Sequence, residues 1–198
     1  LLHWEQKGGS HAKVGNQSFF KSLQIESIKP NRLKIDFRLH PTNTADSAAY
    51  LNVRWLHGAI ARNLRATVTV GYQPTKTSFT GFKGYVFDSP LRDFATNIET
   101  VYDGKLNEKG EARPKTRMQA DKGAPGKLKA SYVVKVFEES GDFSVDRFTS
   151  VYSPYKTYVG LHAPDMKDYD QTLETNKRHK FEVAVVDENG KLKETGQL

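Results

Sequence analysis

The sequence predicts an all-β protein built around an antiparallel β-sandwich. Three observations lead there. Several runs alternate apolar and polar residues with a period of two, as half-buried strands do. Clusters of Gly, Asn, Asp and Pro separate these runs at turn-like intervals. With 37% hydrophobic and 11% aromatic residues, the 198-residue chain is apolar enough to bury a core.

The elements follow in order. Residues 1–18 are rich in Gly, Lys, Ser, His and Asn, with Gly8-Gly9-Ser10 as a flexible centre, and read as a loop or the remnant of a strand pair. Asn16-Gln17-Ser18 fits the glycosylation triplet, a pattern that often arises by chance. Leu23 and Ile25 begin a strand, Pro30-Asn31 interrupts it, and Leu33, Ile35, Phe37 and Leu39 restore strict alternation.

Leu51, Val53 and Trp55 alternate with Asn52 and Arg54, while Leu64, Ala66, Val68, Val70 and Tyr72 alternate with Arg65, Thr67 and Thr69. Gly58 and Asn63 allow the chain to reverse between them, so the two runs are expected to pair as a long hairpin. Residues 74–90 carry repeated Gly and Pro interruptions and suit an irregular crossover, anchored by Phe79, Phe82, Tyr85 and Phe87 against a core that would otherwise be exposed.

Residues 101–106 lead into Asn107-Glu108-Lys109-Gly110, where the glycine suits the left-handed position of a second hairpin. Residues 127–137 and 143–151 flank Glu138-Glu139-Ser140-Gly141-Asp142, with Leu128, Ala130, Tyr132, Val134 and Val136 on one face of the first arm. The second arm changes pattern between Val145 and Phe148, which predicts a bulge at Asp146-Arg147. Residues 181–186 form a last strand, closed by the Asn189-Gly190 turn.

Composition excludes several functions. No apolar run approaches the roughly 18 residues of a membrane helix. The absence of cysteine removes disulfides, thiol nucleophiles and thiolate metal sites from this span. The net charge of +7 is interleaved with acidic residues: Lys34 and Arg38 flank Asp36, and Lys191 and Lys193 follow Asp187 and Glu188. The densest basic run, Lys177-Arg178-His179-Lys180, reads as a solvated approach to a strand. Tyr152, Tyr155 and Tyr158 come without an RNA-recognition signature, so no nucleic-acid partner is expected and the rings are assigned to packing at a domain junction.

Catalytic patterns are poor. His3, His11, His40, His57, His162 and His179 lack close ligand spacing, and Asp165, Asp168, Asp170 and Glu174 depart from the calcium-loop pattern. Gly81-Phe82-Lys83-Gly84 lacks the setting of a nucleotide loop, and nothing resembles a nucleophile elbow. No catalytic, cofactor-binding or metal-binding residue is nominated, and no cofactor is expected.

Ordered motifs carry a family resemblance. They are Ile25-Glu26-Ser27-Ile28-Lys29-Pro30-Asn31-Arg32-Leu33-Lys34-Ile35, Trp55 followed by Gly58-Ala59-Ile60-Ala61-Arg62-Asn63-Leu64, Pro74-x-x-Thr77-x-Phe79-x-Gly81-Phe82, Phe87-Asp88-x-Pro90, and Tyr158-x-Gly160-Leu161 with Asp187-x-Asn189-Gly190-Lys191. In this order they resemble the bacterial alpha-2-macroglobulins, with Ile60 where proline is commoner. The resemblance covers nearly the whole chain from Phe19 onward. It implies an immunoglobulin-like macroglobulin domain at residues 35–153, the end of a preceding unit and a linker at 1–34, and the start of a following unit at 154–198, whose strands would be less well ordered or would borrow contacts from the domain before them.

The same resemblance implies a structural segment of a broad-range endopeptidase inhibitor rather than an enzyme. Its partners would be other macroglobulin domains and, through the full-length protein, target proteases. Its place would be the periplasm or cell envelope, with membrane contact only through a lipid anchor elsewhere in the parent chain. A thioester needs cysteine, so none can form in this span, and the bait is expected beyond Leu198. The alternative from another class is a carbohydrate- or adhesin-type β-sandwich binding module, for which coplanar exposed rings among Phe79, Phe82, Tyr85 and Phe87 would speak.

Overall fold

Alternation in the sequence becomes strands wherever one face can be buried. The structure is a computed structural model that describes residues 10–14, 17–21, 31–40, 43–44, 47–116, 123–166 and 172–193. The chain divides into two compact units, residues 1–30 and 31–198. In the first, β1 (Ser10–Val14) and β2 (Gln17–Lys21) form an antiparallel pair, one of the two outcomes expected for this segment. The strand expected at Leu23 and Ile25 lies outside the described residues, as does the asparagine of the glycosylation triplet.

The second unit contains β3 (Leu33–Arg38), β4 (Asn43–Thr44), β5 (Tyr50–Trp55), β6 (Arg65–Pro74), β7 (Asn97–Lys105), β8 (Glu111–Ala112), β9 (Leu128–Phe137), β10 (Phe143–Ser153), β11 (Thr157–His162) and β12 (Glu182–Asp187). There is no helix among the described residues. A five-stranded sheet in the order β4-β10-β9-β6-β7 faces a three-stranded sheet in the order β3-β5-β8, and β11 pairs with β12. Every pairing is antiparallel except the two-residue contact of β4 with β10.

The two larger sheets share one core. Leu33, Ile35, Phe37, Leu51, Val53 and Ala112 from the smaller sheet meet Val68, Val70, Tyr72, Leu128, Tyr132, Val134, Val136 and Tyr152 from the larger. Each aliphatic side chain hidden this way contributes roughly 1.5–3 kcal/mol. The Phe37 ring lies 5.3 Å from both Tyr132 and Phe148, which fills the gap between β3 and the far sheet. The buried Tyr72 phenol donates to the Thr116 carbonyl at 3.1 Å, and its burial raises its pKa far above the ordinary tyrosine value.

Polar groups stitch the two sheets together where β3 begins. The Asn31 side-chain amide donates to the Val145 carbonyl at 2.9 Å and accepts from the Val145 N–H at 3.1 Å, so it pairs with the edge of β10 as a neighbouring strand would. The buried Ser144 hydroxyl accepts from the N–H groups of Arg32 and Leu33, each at 3.2 Å. Arg32 reaches the buried Glu138 carboxylate at 2.8 Å and lies over the Trp55 ring at 5.5 Å.

Two expectations about connection are corrected. The runs ending at Trp55 and starting near Leu64 do not pair as a hairpin: β5 bonds β3 and β8, whereas β6 bonds β7 and β9. Gly58 at φ 95° and Asn63 at φ 60° do turn the chain, but the turns lead from one sheet to the other. Residues 107–110 behave alike, because β7 belongs to the larger sheet and β8 to the smaller. One-sided burial produces the same alternation in a hairpin and in an arch between sheets, so periodicity cannot separate them.

The expected bulge at Asp146-Arg147 is also absent, since β9 and β10 pair continuously from Phe143↔Phe137 to Tyr152↔Leu128. The pattern breaks there because Ser144, Asp146 and Ser150 are polar members of the row that contains Phe148 and Tyr152. The register instead shifts between Val68 and Thr69, where β6 meets β7.

Ser144→Ala leaves two backbone donors without their acceptor and is expected to cost about 1–3 kcal/mol, read from the urea midpoint at unchanged m-value. Asn31→Ala, whose bonds are more exposed, is expected to cost about 1 kcal/mol.

Candidate functional site

The irregular segment 75–90 joins the sandwich to the β11–β12 pair, and its geometry begins with one threonine. Thr77 is 1% exposed; its N–H donates to both Asp88 carboxylate oxygens, at 3.2 and 3.0 Å, while its hydroxyl accepts from the Lys127 N–H at 2.6 Å. The Ser89 N–H donates to the Pro125 carbonyl at 2.8 Å, and the Thr75 N–H to the Lys127 carbonyl at 3.2 Å. Both ends of the crossover are thus clamped onto the residues that lead into β9. Gly126 makes the clamp possible, because a Cβ there would sit 2.0 Å from Asp88 Oδ1 and 2.3 Å from Thr77 Oγ1.

Past the clamp, the crossover builds a second core. Phe79, Phe87, Tyr158 and Val186 are buried together, with Phe82, Tyr85 and Tyr155 packed around them. The crossover therefore does not lie over the main core, as its aromatics led us to expect. Their apolar surface is satisfied by β11 and β12. Phe79 meets Phe87 edge-on at 4.9 Å and Tyr158 at 5.4 Å. Val86 and Leu161 exchange backbone hydrogen bonds of 2.8 and 3.0 Å, so the crossover adds a bridge to the edge of β11.

Two glycines set how close the layers come. A Cβ on Gly160 would lie 2.4 Å from the Phe87 ring, and one on Gly190, at φ 85°, would lie 2.7 Å from the Phe79 ring. The Lys127 ammonium stands 4.0 Å from the centre of the Phe79 ring, and burial lowers its pKa against the pull of Asp187 and Glu188. Tyr155 touches both cores; its hydroxyl donates to the Ala124 carbonyl at 2.7 Å, and Tyr158 shares a 2.7 Å hydrogen bond with Ser153. Of the three tyrosines expected to pack at a domain junction, Tyr155 and Tyr158 do so, while Tyr152 is buried in the sandwich core 5.1 Å from Tyr72.

The rim of this junction is charged. Lys180 Nζ donates to Glu182 at 2.8 Å, His162 Nδ1 lies 3.2 Å and the Tyr85 hydroxyl 3.3 Å from the same carboxylate, and the His162 and Tyr85 rings lie 5.1 Å apart. The Lys180 hydrogen bond, followed by that of His162, pulls Glu182 down to about 2. In the same basic run Lys177 pairs with Glu174, and the Lys180 N–H donates to Asp165 at 3.1 Å.

No group of three or more His, Asp or Glu residues is arranged to hold a metal ion among the described residues. Asp168 and Asp170 lie outside those residues, as do His3 and the side chain of His11. Sequence reasoning found the aromatics but missed Thr77, Asp88 and Gly126 as one device, since its parts are separated by up to 49 positions. The Phe-Asp-x-Pro and Pro-Gly pairs were the available signal.

Gly126→Ala is expected to cost about 1–3 kcal/mol through the clash with Asp88 and Thr77, measured by thermal or urea unfolding. A second expectation concerns acid. Glu182 has a folded pKa of about 2 against an ordinary 4.5, so its stabilisation is complete above 4.5 and is lost as pH falls towards 2. Protection of the β11 and β12 amides, taken relative to their intrinsic exchange rates at each pH, is therefore expected to fall between pH 4.5 and 2 in the native chain, and Glu182→Gln is expected to flatten that dependence.

Comparison with known proteins agrees with this architecture. Residues 31–154 match the family described as Bacterial Alpha-2-macroglobulin MG5 domain. No curated protein matches the chain. Among solved structures, the native conformation of E. coli alpha-2-macroglobulin is similar with a TM-score of 0.58 at 16% identity, over 93% of this chain and 12% of that one. Trypsin-activated E. coli alpha-2-macroglobulin gives 0.55 at 16%, over 92% and 14% respectively. Salmonella alpha-2-macroglobulin reacted with methylamine gives 0.52 at 17%, over 93% and 13%. The chain thus spans about an eighth of the length of these structures, and its order of strands and its family match agree: it belongs to the bacterial alpha-2-macroglobulin family, with an MG5 domain at residues 31–154.

Proposed function

We propose that this chain is a structural segment of a broad-range endopeptidase inhibitor of the bacterial cell envelope or periplasm, and that its task is to hold neighbouring macroglobulin domains in fixed orientation. The observation that carries this reading is the joint between the sandwich and β11–β12. Residues 154–156 connect them covalently, and the 75–90 crossover connects them again through its clamp, its aromatic core and the Val86–Leu161 bridge. Two separated attachments resist rotation where a single linker would act as a hinge.

In this reading residues 155–198 begin a following macroglobulin unit, and residues 1–30 end a preceding one. The former is supported by the free face of β11–β12. Val159 and Leu161, opposite Val185 and Val183, point away from the aromatic core and remain 61% and 48% exposed. A two-stranded pair with both faces apolar needs a further layer. Bait and thioester functions belong elsewhere in the parent protein. Its target proteases would be met there, and cleavage would be converted into domain movement through rigid units such as this one.

The binding-module alternative asks for open, coplanar rings. Phe79 and Phe87 are buried and meet edge-to-face, which supports the scaffold instead.

The 198-residue chain is expected to leave trypsin and elastase activity unchanged and to resist limited proteolysis across residues 35–152; inhibition by the chain alone would overturn the assignment. Phe87→Ala, which opens the aromatic core, is expected to raise amide exchange in β11 and β12 at least ~10-fold while leaving the centre of β9 within a factor of ~2, in line with about 3 kcal/mol for a buried phenylalanine felt locally. Equal acceleration in both regions would show that the joint is no separate device.

A further inference from the structure

The outer face of β3–β5–β8 carries an excess of positive charge. Lys34 stands directly opposite Arg54 in the antiparallel ladder, a placement in which like charges destabilise the sheet. Lys109 lines the same end of a depression of about 530 Å³, closed on one side by Ile60. Five basic residues, Lys34, Arg38, Arg54, Lys109 and Arg113, meet two acidic ones, Asp36 and Glu111, on or beside this face.

Both acids are already committed. Arg38 grips Asp36 through hydrogen bonds of 3.0 and 2.5 Å. Glu111 accepts from the Tyr50 hydroxyl at 2.7 Å and from the Asn107 side chain at 3.4 Å. Elsewhere the chain relieves such crowding: Arg65 is opposite Lys105, yet Asp103 on the same strand holds the Arg65 guanidinium at 2.9 and 2.8 Å. No carboxylate does this for Lys34 or Arg54 among the described residues.

We propose that Lys34, Arg54 and Lys109 form a binding site for a compact phosphate-type oxyanion. Arg54 supplies a planar fork suited to two oxygens of such a group, and the two ammonium groups add mobile point charges. A bound dianion would turn the Lys34–Arg54 repulsion into attraction. The ligand must be compact because Asp36, Asn52 and Glu111 form the next row, where an extended polyacid would meet two carboxylates. The group could arrive as a free phosphate or as the headgroup of an acidic lipid, and both present the same chemistry.

The test uses the 198-residue chain in low salt. Inorganic phosphate is titrated while backbone amides are followed by NMR, and sedimentation is measured with vesicles of phosphatidylcholine alone or with added phosphatidic acid. Saturable shifts centred on Lys34, Arg54 and Lys109 support the site with free phosphate as its source. Binding only to phosphatidic acid vesicles supports it with a lipid source. Either interaction is expected to weaken about tenfold with Arg54→Gln or Lys34→Gln and to be unchanged by Lys129→Gln on the opposite sheet.

Lys34→Glu is expected to abolish binding and to raise the melting temperature of the ligand-free chain, a pair of changes that misfolding could not produce. The proposal is overturned by absence of both interactions, by equal response of the Lys129 variant, or by poly-glutamate occupying these residues more tightly than phosphate.

Discussion

Everything in the second unit depends on a mismatch in width: five strands on one side of the core must be covered by three on the other. The alternating inner faces supply the driving force, but apolar contact alone does not set where the narrower sheet sits. Its placement comes from directional bonds at the start of β3, where Asn31, Ser144 and the Arg32–Glu138 pair attach it to β10 and to the turn before that strand. The same bonds protect the outer edge of β10, whose far end is covered by β4. A motif that reads in the sequence as a strand interrupted by Pro-Asn-Arg is, in three dimensions, the fastening between layers.

The joint to β11–β12 uses the reverse division of labour. Directional bonds fix the crossover at Thr77 and Asp88, and aromatic surface then draws the hairpin onto it. Glycines at positions 126, 160 and 190 set the separations, because each leaves room that a methyl group would fill. Shape and hydrogen bonding therefore act in series. Weakening the aromatic core should free the hairpin, whereas weakening the clamp should free the crossover and the hairpin with it.

Much of this was legible in the sequence, and what was illegible has a physical reason. The inward rows Leu33-Ile35-Phe37, Ala66-Val68-Val70-Tyr72 and Leu128-Ala130-Tyr132-Val134-Val136 were read correctly, because one-sided burial writes itself as a period of two. The turn glycines at 58, 110 and 190 were also readable from their need for positive φ. Partnership between strands was not, since β5 and β6 alternate identically whether they pair or face each other across the core. The bulge expected at Asp146-Arg147 failed for a related reason: a polar residue on an inward row and a register slip leave the same trace in one strand. At the junction, the rings were visible but their packing partners lay about seventy to a hundred positions away.

The proposed scaffold role rests on how the sandwich is joined to the next pair of strands. Between Ser153 and Thr157 only three residues separate the sandwich from the next pair of strands, and Tyr155 in that link is tied to the Ala124 carbonyl and covered by the Arg92 guanidinium. The link alone would permit bending about one point. The Val86–Leu161 bridge adds a second point on the other side of the aromatic core, so bending would have to break backbone hydrogen bonds and open close-packed ring contacts together. Packed interfaces of this sort yield by discrete rearrangement rather than by gradual deformation. On the proposed role, motion started elsewhere in the parent protein would pass through this segment as rotation of a whole body, with little lost to flexing at the joint.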